Sequence, residues 1–431
     1  MDLLNHSFPF SKTALNGKHA LIFGASKGIG AATGKMMAMA GADVTLCARN
    51  SESLKQVKDE IETFATGRIS FRNVDLEELS VIDEIIDEIT TNLGPVHILV
   101  NNSGGPPGGP LLKNSVEDRL MLVEEKIKSK LESKVDLVQK MTNYHLDTGG
   151  KRLRALLTLG SAKLCGYAKG TRDINLAACV ELIHSATLMH DDVIDNGSIR
   201  RGRKTLNKVW DNHSSVLVGD YLLSRCFEMM VDDGNIEVLK LLSSTSSKIA
   251  QGEVLQLQHR GEVDMLEETY LRIISAKTAE LFAAATKVGA ILSDVSSKEK
   301  EALEFYGRNL GLTFQIADDT LDYNSESKLF GKKIGKDFYE GKITLPIILL
   351  FQKANLKEKE SLKGIFLKDR RDENDFNYTL SLIKQYEIIK ECYQKANHYI
   401  NLASNSLSIF KDCNERNILE NLTSFSLSRD F

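Results

Sequence analysis

His184-Ser185-Ala186-Thr187-Leu188-Met189-His190-Asp191-Asp192-Val193-Ile194-Asp195-Asn196-Gly197-Ser198-Ile199-Arg200-Arg201-Gly202-Arg203-Lys204-Thr205 closes an apolar, helix-compatible run that begins near Ile174. Acid and base are segregated within this one span: Asp191, Asp192 and Asp195 end the run, and Arg200, Arg201, Arg203 and Lys204 follow across a loop. Asp191 and Asp195 stand at i and i+4, so a helix points both the same way, and like charges at that spacing oppose the helix by about 0.2–0.5 kcal/mol. A cation between them removes that cost. Oxygen ligands alone suit Mg²⁺, which binds through one or two carboxylates and fills its shell with water and phosphate oxygens. A solvated helix end has the same composition, so a single Asp-Asp-x-x-Asp decides nothing.

A second copy does. Asp318-Asp319-Thr320-Leu321-Asp322 follows another apolar helical run, Leu310-Gly311-Leu312-Thr313-Phe314-Gln315-Ile316-Ala317. Two acidic clusters at the ends of two apolar helices can face each other across a cavity and hold Mg²⁺ against a diphosphate. In this order and with these surroundings, the motifs resemble those of the trans-type polyprenyl diphosphate synthases, all-helical isoprenoid-chain elongases. The resemblance runs from about Ser115 to the end. It implies an all-α isoprenoid synthase helical bundle over 111–431, with Asp191, Asp192, Asp195, Asp318, Asp319 and Asp322 catalytic and Asp191, Asp195 and Asp318 ligating Mg²⁺. Its substrates would be isopentenyl diphosphate and an allylic diphosphate, farnesyl or geranyl, and its assembly a homodimer.

Further motifs extend the match. Gly149-Gly150-Lys151-Arg152-Leu153-Arg154 resembles the family's Gly-Gly-Lys-Arg motif, with Ala155 where Pro is usual; glycines followed by cations suit close phosphate approach. The resemblance assigns Lys151, Arg154, His184 and Arg201 to isopentenyl diphosphate, and Arg200, Lys277 and Thr278 to the allylic diphosphate. An Arg fork can bind phosphate oxygens in bidentate fashion. Gly219-Asp220-Tyr221-Leu222-Leu223 and Gln251-Gly252-Glu253 are further landmarks. Gln315 precedes the second acidic motif, and Lys332 and Lys342 complete the cationic lining, the doublet Lys332-Lys333 leaving that match open. Terpene cyclases share the first acidic motif, but their second metal site usually carries Asn, Ser and Glu. A non-catalytic subunit of a heteromeric synthase would show degenerate acidic motifs, and these are intact.

A growing chain needs an apolar channel. Ala186 and Thr187, five and four before Asp191, are small, where short-chain members often carry aromatics. The expectation is an octaprenyl to decaprenyl product, a quinone side-chain precursor, with Phe227 as a floor residue and Ala186→Phe as a shortening substitution. The cation left when the allylic C–O bond breaks would alkylate isopentenyl diphosphate.

Composition sets the frame. The chain of 431 residues is 42% hydrophobic and 26% charged with a net charge of −4, the profile of a globular protein and not of a nucleic-acid binder. Six cysteines, Cys47, Cys165, Cys179, Cys226, Cys392 and Cys413, include no Cys-x-x-Cys pair, as expected of reduced thiols. There is no signal-like start and no long uncharged apolar run. The expected location is cytoplasmic, with peripheral membrane association through a greasy product.

The front of the chain follows another rhythm. Strand-like runs His19–Phe23, Asp43–Cys47, Ile69–Val74 and Val96–Val100 alternate with helices from Ile29, after Ser51 and through Val81–Leu93, the pattern of βαβ units in a parallel sheet. Gly24-Ala25-Ser26-Lys27-Gly28-Ile29-Gly30 lies between the first strand and helix, where glycines permit a tight turn and let a pyrophosphate approach a helix N-terminus. Residues 16–110 resemble the N-terminal half of the short-chain dehydrogenase/reductase family. The match assigns Gly24, Gly28 and Gly30 to the glycine loop, Asp75 to the adenine contact and Asn101-Asn102-Ser103-Gly104 to the signature after the fourth strand. Phe23 departs from the family's usual Thr. Ala48-Arg49-Asn50 replaces the acid after the second strand, so Lys27 and Arg49 favour the 2′-phosphate of NADP.

The catalytic half of that family is missing. Its Tyr-x-x-x-Lys should follow on a fifth strand and helix, but the chain has already reached Gly149-Gly150-Lys151-Arg152 there. The sequence's one Tyr-x-x-x-Lys, Tyr386/Lys390, stands far downstream without a suitable Ser. A bifunctional NADP oxidoreductase–prenyltransferase therefore lacks its proton donor. The join, Gly104-Gly105-Pro106-Pro107-Gly108-Gly109-Pro110, reads as a linker. The expected architecture is thus a two-part chain, an α/β half-Rossmann of four parallel strands over 1–110 followed by the helical bundle. A gene fusion or a joining of two reading frames would give such a chain.

Overall fold

The computed structural model describes residues 11–74, 79–101, 116–168, 170–293, 295–324 and 335–425. Asp75, Lys332 and the Gly104–Pro110 stretch lie outside them. The chain divides into two compact units, Met1–Gly109 and Pro110–Phe431.

In the first unit, β1 (His19–Phe23), β2 (Asp43–Ala48), β3 (Ile69–Asn73) and β4 (Ile98–Asn101) form a parallel sheet in the order β3-β2-β1-β4. The helices α1 (Gly28–Met39), α2 (Ser51–Glu62) and α3 (Leu79–Leu93) connect them. β1 is buried along its whole length, as a parallel strand covered on both faces must be. One apolar cluster, with Ile22, Leu46, Leu54 and Ile61, fills one side of the sheet; Leu21, Phe23, Val74 and Ile89 fill the other. Asn50 starts α2 by accepting from the backbone N–H of Ser53 at 2.9 Å. Among the described residues β4 pairs only with β1, and its Leu99 is 63% exposed. A sheet of this order ends where the rest of a doubly wound fold would begin.

The second unit is helical. It runs α4 (Val116–Lys130), α5 (Asp136–Leu146), α6 (Leu153–Leu164) and α7 (Arg172–Ile194), then a two-stranded antiparallel ribbon of β5 (Ile199–Arg200) and β6 (Arg203–Lys204). It continues through α8 (Leu206–Val209), α9 (Asn212–Asp233), α10 (Ile236–Gln258), α11 (Glu267–Ile274), a π-turn (Ser275–Ala279), α12 (Glu280–Ile291) and α13 (Ser297–Leu321). The remainder is α14 (Lys336–Glu340), α15 (Leu345–Lys353), α16 (Leu356–Phe366), α17 (Glu373–Gln385), α18 (Ile388–Ser406) and α19 (Asn414–Phe425). Of the stripe expected from Leu120, Val123, Ile127 and Leu131, Val123 and Ile127 are buried on α4, Leu120 is partly buried beside them and Leu131 is buried just past its end. α7 is buried on nearly every side from Asp173 to Met189, which makes it a central helix and not an amphipathic surface one. Ser296 and Glu299 cap the start of α13 reciprocally, and α13 packs on both α12 and α18.

Glycines set how closely these helices approach. A Cβ at Gly289 on α12 would lie 2.6 Å from both the Ala162 nitrogen and the Thr158 carbonyl oxygen of α6. Backbone cannot retreat as a side chain can. Gly289→Ala is therefore expected to destabilise the helical unit by about 1–3 kcal/mol, read as an earlier urea midpoint at unchanged m. A midpoint equal to that of the parent would contradict this packing.

Candidate active site

The two acidic motifs end α7 and α13, where the carboxylates meet the negative ends of two helix dipoles. Both ends open on one cavity of about 480 Å³, lined by Asp191 and Asp195 from the first motif and Asp318, Asp319 and Asp322 from the second. The 3.6-residue period explains the first set: His184, Thr187, Leu188, Asp191 and Asp195 fall on one side of α7, and all line the cavity.

The aspartates are not equivalent. Asp192 accepts from Arg200 through Nε at 3.0 Å and Nη2 at 2.8 Å, so Arg200, expected on a diphosphate, here closes on an aspartate of the motif. Lys342 Nζ donates to Asp195 Oδ2 at 2.7 Å; burial raises that carboxyl, but the Lys342 charge and hydrogen bond outweigh it and hold its pKa below the ordinary value. Asp191 is pushed up by burial, with Lys277, 3.7 Å away, opposing and Asp195 adding to the rise. Asp318 is exposed, whereas Asp319 is buried and pushed up to about 7 by that burial, despite bonds from Tyr270 and Gln315. Asp322 is raised by burial and accepts from the backbone N–H groups of Gly335, Lys336 and Asp337 at 2.8–3.1 Å. It therefore starts α14 and is not aimed at the cavity alone.

Lys277 and Thr278 sit in the π-turn, an irregularity often found at functional sites. Lys277 pairs with Glu253 and donates to Gln256 at 3.0 Å; Thr278 donates to Gln315 at 2.8 Å. Gly252 makes this possible, since a Cβ there would lie 2.9 Å from the Lys277 nitrogen. Glu253 and Asp337, both raised by burial, add to the acid load of the cavity. The sequence offered no role for either. Glu253 lay in a quoted landmark and Asp337 in a Lys-rich stretch, and only the fold brings them to the acids.

On the other side, Arg154, His184, Arg200 and Arg201 line the cavity, with Arg154 stacked 4.6 Å from the Phe282 ring centroid. Arg201, in a left-handed backbone conformation, donates to the Gly149 carbonyl, and its guanidinium occupies the space a Cβ at Gly150 would need. Lys151 is exposed and is not among the lining residues. Burial and the surrounding Arg154, Arg201 and Arg200 hold His184 well below its ordinary pKa, and His145 is held down to about 4 by burial and by Arg201, Arg152 and Arg200. Unfolded histidine titrates near 6.5, so the unfolded chain takes up protons below that pH and the folded chain does not. Stability at His145 is complete above about pH 6.5 and declines toward pH 4. His145→Asn is expected to flatten the fall of Tm across that window; parallel Tm–pH curves would contradict it.

The three residues assigned to chain length stand in different surroundings. Thr187 lines the cavity, but Ala186 is 2% exposed and packs in the helical core, one residue and about 100° further round α7. Phe227 is no floor. It stands 42% exposed on the outer side of α9, next to Cys226, which takes the buried position.

The Mg²⁺ assignment meets a donor set that suits it. Among the described residues no three His, Cys, Asp or Glu side chains form a group able to hold a metal ion. Magnesium does not need one, since it binds through one or two carboxylates plus phosphate oxygens and water. Asp191 and Glu253, both lining the cavity, are raised first by burial and further by a neighbouring carboxylate, Asp195 and Asp191 respectively, a repulsion that a bound cation would offset.

In the first unit, Gly24 and Gly28 have φ of +64° and +59°, the left-handed backbone that favours glycine, and Gly30 is buried at the start of α1. Lys27 and Arg49 are exposed at the ends of α1 and β2, and Asn101 ends β4. Tyr386 donates to Glu358 at 2.7 Å and Lys390 pairs with Glu387, so this Tyr-x-x-x-Lys is built into local helix packing.

Comparison with known proteins gives two family matches that overlap over residues 135–151. Residues 135–383 match the polyprenyl synthetase family model, and residues 18–151 the short chain dehydrogenase model. The all-trans-nonaprenyl-diphosphate synthase (geranyl-diphosphate specific) of Rhodobacter capsulatus is 36% identical over 307 residues, 71% of this chain and 94% of that protein. The octaprenyl diphosphate synthase of Escherichia coli is 43% identical over 226 residues, 52% of this chain and 70% of that protein. Among solved structures, a decaprenyl diphosphate synthase from Rhodobacter capsulatus is similar with a TM-score of 0.72 at 38% identity, covering 75% of this chain and 99% of that one. A polyprenyl synthase from Caulobacter crescentus complexed with calcium and isoprenyl diphosphate is similar with a TM-score of 0.70 at 39% identity, covering 73% and 95%.

Proposed function

The chain belongs to the polyprenyl synthetase family of prenyltransferases, and from that premise we propose that its helical unit condenses an allylic diphosphate with isopentenyl diphosphate into a long all-trans polyprenyl diphosphate. The observation that carries this reading is the facing pair of acidic helix ends on a single cavity that arginines, lysines and an apolar wall complete. Long-chain relatives support an octaprenyl to decaprenyl product, of the kind used in quinone side chains.

Asp191, Asp195 and Asp318 are the residues that would hold Mg²⁺, which when bound neutralises charge on the leaving diphosphate. The calcium in the Caulobacter relative supports a divalent cation here. Lys277 and Lys342, which now satisfy Asp191, Glu253 and Asp195, are the cations available to turn toward phosphate oxygens. Arg154, Arg201 and neutral His184 hold the diphosphate of isopentenyl diphosphate, the arginines through charge and His184 through a ring nitrogen. The allylic C–O bond breaks, its electrons leave with pyrophosphate, a C–C bond forms to isopentenyl diphosphate, and the released pyrophosphate takes the departing proton. Positive side chains placed where negative charge develops lower that barrier.

The homodimer is supported by exposed apolar side chains on α9, Leu217, Phe227 and Val231. Among the described residues no helix is long and apolar enough to cross a membrane. We propose no redox step for the first unit, because Tyr386 and Lys390 are engaged elsewhere in the helical unit. The test is label transfer from isopentenyl diphosphate to extractable product by the full chain with farnesyl diphosphate. Incorporation should require Mg²⁺ and stop with EDTA. No incorporation with any divalent cation would refute the reading.

A further inference from the structure

We infer that Tyr270 is a positioning residue for the diphosphate end of the cavity, an inference that rests on the prenyltransferase reading above. Tyr270 lies on α11 and is 2% exposed, and its hydroxyl donates to Asp319 Oδ2 at 2.7 Å. The other carboxylate oxygen accepts from Gln315 Nε2 at 2.7 Å, and Gln315 Oε1 accepts from the Thr278 hydroxyl at 2.8 Å. The directions run one way: Tyr270 and Gln315 donate to Asp319, and Thr278 donates to the Gln315 carbonyl that its NH₂ leaves free.

Three segments are thereby locked to one another: α11 through Tyr270, α13 through Asp319 and Gln315, and the π-turn through Thr278. The turn also carries Lys277, so its setting fixes a cation as well as a hydroxyl. The Thr278 proton is committed to Gln315, and the second Gln315 amide proton is the donor left for a phosphate oxygen. Asp319, although central in an acidic motif, is 4% exposed and serves as the hub of this chain, whereas its neighbour Asp318 is exposed. Tyr270→Phe keeps the ring and deletes one donor. The Asp319 carboxylate is then held from one side only, and Gln315 and the π-turn lose their fixed setting.

The experiment is steady-state kinetics of the full chain with farnesyl diphosphate, isopentenyl diphosphate and Mg²⁺. Loss of this one bond is expected to raise the KM for farnesyl diphosphate by about tenfold in Tyr270→Phe, with the KM for isopentenyl diphosphate little changed. Thr278→Val breaks the same chain, so the double variant should lose no more kcat/KM than the worse single one. Strictly additive losses, or both KM values rising together, would overturn the inference. Should Tyr270→Phe not fold, Asp319→Asn tests the same chain: Tyr270 can still donate to the amide oxygen, but the new NH₂ must flip Gln315 and reverse Thr278. The same rise in KM is expected, and an unchanged KM overturns the inference. An inactive parent chain would instead refute the prenyltransferase reading.

Discussion

Asp191→Asn lowers the condensation rate by roughly 10²–10³-fold, the scale of losing one group that stabilises developing charge, and leaves the fold at least as stable as before. Both halves follow from the same carboxylate. Asp191 points into the cavity beside Asp195, and burial disfavours its charge in the folded chain more than Lys277 favours it. Near neutral pH that charge is a cost to folding, which Asn of the same shape removes. Lys277 keeps Glu253 and Gln256 as partners, so no cation is stranded. The expected result is an inactive variant whose Tm equals or exceeds that of the parent. Activity within threefold of the parent, or a Tm lowered by several degrees, would mean that Asp191 is structural.

Thr187→Phe shortens the product, and Ala186→Phe does not. Thr187 faces the cavity, where an aromatic ring would stand in the path of the growing chain. Ala186 is enclosed by the core, where the added ring costs about 1–3 kcal/mol of overpacking. Chromatography of the dephosphorylated products separates the two cases. Thr187→Phe should give a distribution shifted by several isoprene units at near-parental Tm, and Ala186→Phe a lower Tm with the parental product. A shortened product from a stable Ala186→Phe chain would place the channel behind α7 and refute the wall drawn here.

The acidic motifs were legible because each is short, local and carried on a helix, so spacing alone fixes which side chains share a face. The half-sheet was legible for a similar reason: β1 and β2 are near-continuous apolar runs, Gly24 follows β1 and Gly28 opens α1. What the sequence hid is assembled from distance. Tyr270 reaches Asp319 across 49 positions, and no local pattern announces that pairing. The π-turn has no signature either, because inserting one residue into a helix leaves composition unchanged. Arg200 was legible as a cation near phosphate, yet its bidentate hold on Asp192 depends on the β5–β6 ribbon folding back beside α7. An apolar residue on an apolar helix does not reveal which side is covered: Cys226 takes the buried position on α9, and its neighbour Phe227 stands exposed. Nothing local tells Ala186 from Thr187, since both are small, and only the packing around α7 sends one inward and the other to the cavity.

The most direct test of the central claim is the mass of the product. The full chain, given farnesyl diphosphate, excess isopentenyl diphosphate and Mg²⁺, should accumulate polyprenyl diphosphates in the octaprenyl to decaprenyl range. Accumulation of only C15 or C20 products would contradict the open channel beside Thr187 and with it the account of this cavity.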